Sequence, residues 1–331
     1  MFAIVAEWRR NTAVRGGQAM TNFDPARRRA IGSLAAVGAG ALAWRAMPAL
    51  AERAKVLTRV IPKSGEALPV IGLGTSQTFD FDLRGDAETR KAAIDTLRAF
   101  FDAGLSVIDT SPMYGRSEAV LGELLAEVDP KHRAFIATKV WTTGADAGRK
   151  QIDESFRLLR RDRIDLIQVH NLVDVDTQLA TLQQMKRDGR IRYVGVTSSR
   201  DSAHDDLVKQ IGRGTLDFVQ VNYSLTERAA ENSVLPAAAA NHVAVLVNRP
   251  YSKAGLFDRV QGRPLPPIAA EMGVTSWAQF ALKWIVSHPA VTCAIPGTNK
   301  PQHMLDNIEA GIGNMPDAAM RTKMAKAFEN T

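Results

Sequence analysis

Asp109, Tyr114, Lys139 and His170 are the residues of this chain whose types and spacing suit acid–base chemistry. Asp109 closes the run SVID (106–109) and Tyr114 follows five residues later, beside a glycine; Lys139 lies in FIATKV (135–140) and His170 ends LIQVH (166–170). A phenol with an ordinary pKa near about 10 is a poor acid at neutral pH, but an adjacent ammonium stabilises its anion and brings that pKa down. Lys139 can supply the charge. A buried ammonium needs an anion, which gives Asp109 the task of holding Lys139 charged and aimed at Tyr114. His170 can donate a hydrogen bond to a substrate oxygen and orient it beside the phenol. Such a set hands a proton to an oxygen that is gaining negative charge, which is half of a carbonyl reduction. The other half is a hydride, which no side chain provides, so the set implies a nicotinamide cofactor.

The four groups act together only if the fold brings them to one place. Short β-branched runs recur as VIGLGT (70–75), SVIDTS (106–111), FIATKV, LIQVH, YVGVTS (193–198), FVQVNYS (218–224), VAVLVNR (243–249) and VTCAIPG (291–297). Amphipathic segments such as AETRKAAIDTLRAFFDAG and DTQLATLQQMKRDG separate them, each stopped by glycine. Strand–helix alternation at this pitch calls for parallel strands with right-handed crossovers. Eight such units predict an α/β fold, a (β/α)8 TIM barrel of about the usual 250 residues. An open doubly wound sheet is the alternative, but its glycine-rich phosphate loop is missing from the first unit. In a barrel, polar residues at the C-terminal strand ends face the active site, so Asp109, Lys139, His170 and the loop residue Tyr114 share one rim. Taken singly they also read as a cap, a surface charge, a core histidine and a lid. Their joint placement argues for a site. The long interval from Arg249 to Val291 leaves room for an extra loop and helix, and KVLTRVIPKSGEALP predicts an N-terminal β-hairpin plugging the lower end.

With 331 residues, 45% of them apolar, the chain can bury a large core. Its formal charge of +7 sits mostly in residues 1–51, which hold seven arginines, two acids and no lysine, so the body carries no nucleic-acid-binding face. The single cysteine, Cys293, excludes an internal disulfide and a multi-cysteine metal site, and no metal is expected; a buried bystander is its reading. Residues 1–51 read as a twin-arginine export leader: the triplet Arg27–Arg29, the uncharged run Ala30 to Trp44, then Ala49 and Ala51 as a small-x-small cleavage pattern. The mature domain would start near residue 52 and span 52–331, with Met20 as an alternative start. The apolar run is too weak for a stable membrane anchor. The expected location is the periplasm, with the twin-arginine machinery as a partner; a cytoplasmic enzyme with an N-terminal extension is the alternative, Arg27 standing where the export motif has Ser or Thr. GAGALA (38–43) matches a dinucleotide-binding glycine pattern, but no strand precedes it and no acid follows at the required distance.

The tetrad Asp109, Tyr114, Lys139 and His170, in the settings IDTSPMYG, ATKVW and QVHN, resembles that of the aldo-keto reductases. LPVIGLGT, YVGVTSS, VQVNYS, WAQFALKWIVSHP and IPGTNKPQHMLDNI agree in order, so the resemblance covers Leu68 to Asn307. It implies reversible NAD(P)H-dependent reduction of a small-molecule aldehyde or ketone with Tyr114 as proton donor, the cofactor lying extended across the barrel mouth without a Rossmann fold. By the same resemblance Thr75, Thr197, Ser198 and Gln220 surround the nicotinamide, Ser198 standing where many relatives have an amide. Arg249 takes the stacking position often held by an aromatic, with Tyr251 as the rival, and Lys253 follows on the same loop. Thr298, Lys300, His303 and Asn307 would hold the adenosine end, although Gly297 and His303 replace a lysine and an arginine common in relatives. A phosphate there favours cations and helix N-terminal N–H groups, so NADP(H) is preferred over NAD(H). Trp141 and Asn171 are the implied substrate-pocket residues, and a long C-terminal loop that shapes larger pockets is absent. A cofactor-sensing binding protein, like the β subunits of voltage-gated potassium channels that share the fold and tetrad, and a barrel lyase or hydrolase are the alternatives.

Overall fold

The computed structural model describes residues 55–331; the leader and cleavage pattern read from residues 1–51 lie outside them. Two short antiparallel strands come first, β1 (Thr58–Val60) and β2 (Ala67–Pro69). Parallel strands then follow in sequence order around one sheet: β3 (Leu73–Gly74), β4 (Val107–Asp109), β5 (Phe135–Val140), β6 (Ile164–His170), β7 (Ile191–Thr197), β8 (Phe218–Asn222), β9 (Ala244–Asn248) and β10 (Cys293–Ala294). Parallel bridges from Ile71 to Ala294 and from Gly74 to Gly297 join its two edges, so the sheet closes into the expected (β/α)8 barrel. Strands β5 and β8 are buried at every residue, having the core on one face and helices on the other. That is why they read as unbroken apolar runs.

The crossover helices are α1 (Ala87–Asp102), α2 (Ser117–Val128), α3 (Ala145–Leu159), α4 (Val175–Arg187), α5 (His204–Gly212) and α6 (Val234–Ala240). The long interval before β10 holds α7 (Gly255–Val260), α8 (Ile268–Glu271) and α9 (Trp277–Val286), and α10 (Pro301–Glu309) and α11 (Ala318–Glu329) complete the chain. Helix α1 shows the local logic. Asp86 accepts the Thr89 N–H at 2.8 Å, satisfying a donor that the first turn leaves free, and Ile94, Leu97 and Phe101 recur at helical spacing on the buried face. Helix α11 stays beside α9, where Trp284 donates to the Arg321 carbonyl at 3.1 Å, and the final residues do not line the barrel mouth.

Two hydrophobic clusters result. The larger lies between strands and helices. The smaller fills the barrel with Val107, Phe135, Leu166, Tyr193, Phe218, Leu246 and Cys293, and Ile61 and Leu68 of the hairpin belong to it. The hairpin is therefore the lower plug that the sequence predicts. Cys293 is buried, and burial pushes its thiol pKa up, which keeps it unreactive.

Candidate active site

Side chains alternate along a strand, so each inward apolar residue fixes which later residues face the barrel axis. Counting on from Val107, Phe135, Leu166, Tyr193, Phe218 and Leu246, the same faces carry Asp109, Lys139, Gln168 and His170, Thr197, Gln220 and Asn248. The lower barrel is thus apolar and its C-terminal mouth polar. Register sets the heights: Lys139 is level with Gln168, His170 with Thr197, and Thr197 with Gln220.

Three of the predicted tetrad come from consecutive strands, and the fourth from the loop after β4. Lys139 Nζ donates to Asp109 Oδ2 at 2.6 Å and to the Thr110 carbonyl at 2.7 Å, with Lys139 and Asp109 both buried. The same ammonium lies 4.8 Å from the centre of the Tyr114 ring, and that ring meets the His170 ring edge-on at a centroid distance of 6.2 Å. The four groups therefore share one corner of the mouth. Tyr114 is held there by its loop: its N–H donates to the Ser111 carbonyl at 3.0 Å, and Gly115 follows at φ 58°. A Cβ at Gly115 would lie 2.4 Å from an Asp80 carboxylate oxygen, and Asp80 anchors the next residue by accepting the Arg116 N–H at 3.0 Å.

Burial opposes charge on Lys139, but Asp109 and Tyr114 outweigh it and raise its pKa. For Tyr114, burial raises the pKa, Lys139 pulls it down and Asp109 pushes it up. The net direction is upward, against the sequence-based expectation, because the largely buried ring costs the phenolate more than Lys139 returns. The consequence is a phenol fully protonated at neutral pH. His170 is driven down from 6.5 to about 3 by burial and then by Lys139, so its imidazole is neutral. Ser111 Oγ accepts the Met113 N–H at 3.2 Å and lies 3.3 Å from His170 Nδ1. With the Ser111 hydroxyl hydrogen directed to Nδ1, His170 carries its proton on Nε2 and is a donor.

A cavity of about 500 Å³ opens at this corner, lined by Asp109, Tyr114 and His170 and, further along, by Thr197, Gln220, Arg249 and Lys253. Thr75 stands outside the lining, fully buried, its hydroxyl donating to the Asp109 carbonyl at 3.1 Å. Ser198 is buried outside the lining, and its hydroxyl accepts the Arg200 N–H at 3.3 Å. Arg249, at φ 50°, pairs with Glu227 at 3.1 Å and donates to the Ser199 carbonyl at 2.7 Å, tying the loops after β7, β8 and β9 together. Tyr251 also lines the cavity, and its hydroxyl donates to Asn307 at 2.6 Å. Thr298 is buried and accepts the Lys300 N–H at 3.0 Å, while Lys300 and His303 are exposed at the start of α10. These last three, with Trp141 and Asn171, stand outside the cavity lining; Trp141 is exposed at the end of β5.

Sequence reasoning missed Gln168, Asn248 and Ser111. Gln168 and Gln220 both donate to Asp109 Oδ1, at 3.4 and 2.7 Å, so one carboxylate oxygen is held by two amides and the other by Lys139. Gly195 makes room for this: a Cβ there would sit 3.1 Å from Gln168 Cγ and 2.8 Å from the Phe218 carbonyl. Parity with His170 in LIQVH marks Gln168 as inward-facing, and parity with Leu246 marks Asn248.

The profile of the aldo/keto reductase family matches residues 70–323. Among curated proteins, the chain is 29% identical over 258 residues to methylglyoxal reductase YeaE of Escherichia coli (strain K12), covering 75% of this chain and 88% of that protein. It is 25% identical over 316 residues to an NADH-specific methylglyoxal reductase of the same organism, covering 78% and 93%. The crystal structure of an aldo/keto reductase from Klebsiella pneumoniae in complex with NADP and acetate superposes with a TM-score of 0.68 at 26% identity, covering 81% of this chain and 94% of that one. On these matches and on its closed barrel, the chain belongs to the aldo/keto reductase family.

Proposed function

We propose that this oxidoreductase reduces small aldehydes or ketones to alcohols with NAD(P)H, Tyr114 giving the proton. The observation that carries the reading is the convergence of the Tyr114 phenol, the buried Lys139–Asp109 ion pair and the His170 imidazole at one cavity in the C-terminal mouth. The cavity suits a nicotinamide nucleotide: Thr197, Gln220 and Asn248 offer hydrogen-bonding groups for a carboxamide, Asn248 with an unpartnered buried oxygen, Arg249 offers its guanidinium plane for stacking, and Lys253 offers a cation for a pyrophosphate. When bound, the reduced nicotinamide supplies the hydride that the carbonyl carbon receives. His170 Nε2–H and the Tyr114 hydroxyl orient the carbonyl oxygen, and Tyr114 passes its proton as negative charge builds there. Lys139, held charged by Asp109, stabilises the phenolate left behind. The names of the two curated relatives support small 2-oxoaldehydes as the first substrates to try.

In this reading NADP(H) is preferred over NAD(H), Lys300 and His303 meeting the extra phosphate beside the first N–H groups of α10. Solved neighbours at 26% and 25% identity hold NADP and NADPH, and one curated relative is NADH-specific. Fluorescence titration with NADPH and NADH, followed by an aldehyde panel that includes methylglyoxal, tests both points. Tighter NADPH binding, lost selectively in Lys300→Ala/His303→Ala, and turnover of a small aldehyde are expected. Absence of nucleotide binding, or binding with no turnover across the panel, overturns the reductase reading. Residues 1–51 are proposed to export the folded enzyme to the periplasm; a reporter fused to them should be exported, and Arg28→Lys/Arg29→Lys should retain it in the cytoplasm. Export unaffected by that change refutes the twin-arginine route.

A further inference from the structure

Asn248 is the last residue of β9 and stands in the cavity wall. Its Nδ2 donates to Gln220 Oε1 at 3.2 Å and to the Ser198 carbonyl at 3.3 Å, while its Oδ1 is buried with no partner. The orientation of this amide is forced. Asp109 is a carboxylate paired with an ammonium and only accepts, so Gln220 must turn its NH2 toward Asp109 Oδ1, at 2.7 Å. Gln220 Oε1 then faces away from Asp109, where it accepts from Thr197 Oγ1 at 3.1 Å and from Asn248. Asn248 must in turn offer its NH2, because flipping it would set its carbonyl oxygen against two other carbonyl oxygens. The polarity of the chain, set at one end by the ion pair, leaves an amide oxygen over at the other.

A buried acceptor without a partner is unfavourable, and this one belongs to a residue of the cavity wall, where a donor can reach it from the cavity. Ser198 offers no alternative, since it lies outside the lining and its hydroxyl engages Arg200. The two bonds that hold the Asn248 amide are long, at 3.2 and 3.3 Å, so a small rotation can present Oδ1 to the cavity without breaking a strong contact. The carboxamide of a nicotinamide has an NH2 group that matches this acceptor. We infer that Asn248 is a cofactor-recognition residue, its Oδ1 accepting from the carboxamide NH2 and so connecting nicotinamide orientation to the Asp109–Lys139 pair through Gln220. The inference rests on the nicotinamide reading above and adds to it the direction of this contact, the carboxamide donating to Asn248 Oδ1, and its link to the ion pair.

The test is a binding cycle in the purified protein. Dissociation constants for NADP+ and for its 3-acetylpyridine analogue, which carries a methyl ketone in place of the carboxamide and has no N–H to give, are measured by calorimetry for wild type, Asn248→Ala and Asn248→Ser. One hydrogen bond predicts analogue binding weaker by about five- to tenfold in wild type, with that ratio falling to about one in Asn248→Ala. Asn248→Ser, which keeps a short polar side chain, guards against a folding defect in the alanine variant and should give a ratio below the wild-type value. A wild-type ratio near one, or a high ratio unchanged by both substitutions, overturns the inference while leaving the nicotinamide reading intact. Failure of wild type to bind NADP+ and NADH alike would instead remove that reading and the inference with it.

Discussion

Replacing Lys139 by methionine breaks a buried ion pair at the candidate site. Lys139 Nζ and Asp109 Oδ2 are 2.6 Å apart and buried, so at an effective dielectric of about 20 their direct attraction is about 6 kcal/mol. The net loss is smaller, because methionine has no charge to desolvate and Asp109 keeps the Gln220 and Gln168 donors. Removing one member of a buried pair leaves the other uncompensated, and the expected cost is about 3–5 kcal/mol at neutral pH. Adding Asp109→Asn to Lys139→Met removes the stranded charge, so the double variant should be at least about 1 kcal/mol more stable than the summed single losses imply. Urea unfolding followed by circular dichroism at pH 7 measures all four proteins. A loss below about 1 kcal/mol for Lys139→Met, or strictly additive losses in the double variant, would refute the reasoning.

His170 gives a pH signature. With its folded pKa depressed from 6.5 to about 3, the unfolded chain binds a proton below pH 6.5 that the folded chain refuses, so stability falls as the pH drops toward 3. His170→Gln should remove about 2 kcal/mol of the loss between pH 7 and 5, read from urea midpoints; an unchanged slope would contradict the neutral, partly buried imidazole. Leu68, 2% exposed in the plug, should cost about 2–5 kcal/mol when truncated to alanine while leaving NADPH affinity intact, because the plug lies at the opposite end from the mouth. Equal losses of stability and affinity would place the hairpin's role elsewhere.

The strands were legible because parallel barrel strands, covered on both faces, cannot hide their β-branched runs among polar residues. The tetrad was legible because Asp109, Lys139 and His170 stand at the ends of three such runs, where only a rim position makes a charged or polar residue tolerable. Gln168, Asn248 and Ser111 were not. An inward amide near the end of LIQVH or VLVN looks like an ordinary strand residue until register places it level with Lys139 or beside Gln220. The direction of the Tyr114 pKa also escaped, because a sequence shows the lysine that stabilises a phenolate but not how deeply the ring is buried. The link from Arg249 to Glu227 depends on the relative placement of two loops, which local pattern does not set.

The proton donor is the claim on which the account turns, and single-turnover hydride transfer tests it most directly. Enzyme saturated with NADPH is mixed with a reducible aldehyde, and loss of nicotinamide absorbance is followed for wild type and Tyr114→Phe. Loss of a positioned general acid predicts a rate lower by about 10²–10⁴-fold with NADPH affinity unchanged. Transfer in the phenylalanine variant at a rate close to wild type would show that the proton reaches the carbonyl oxygen from another group.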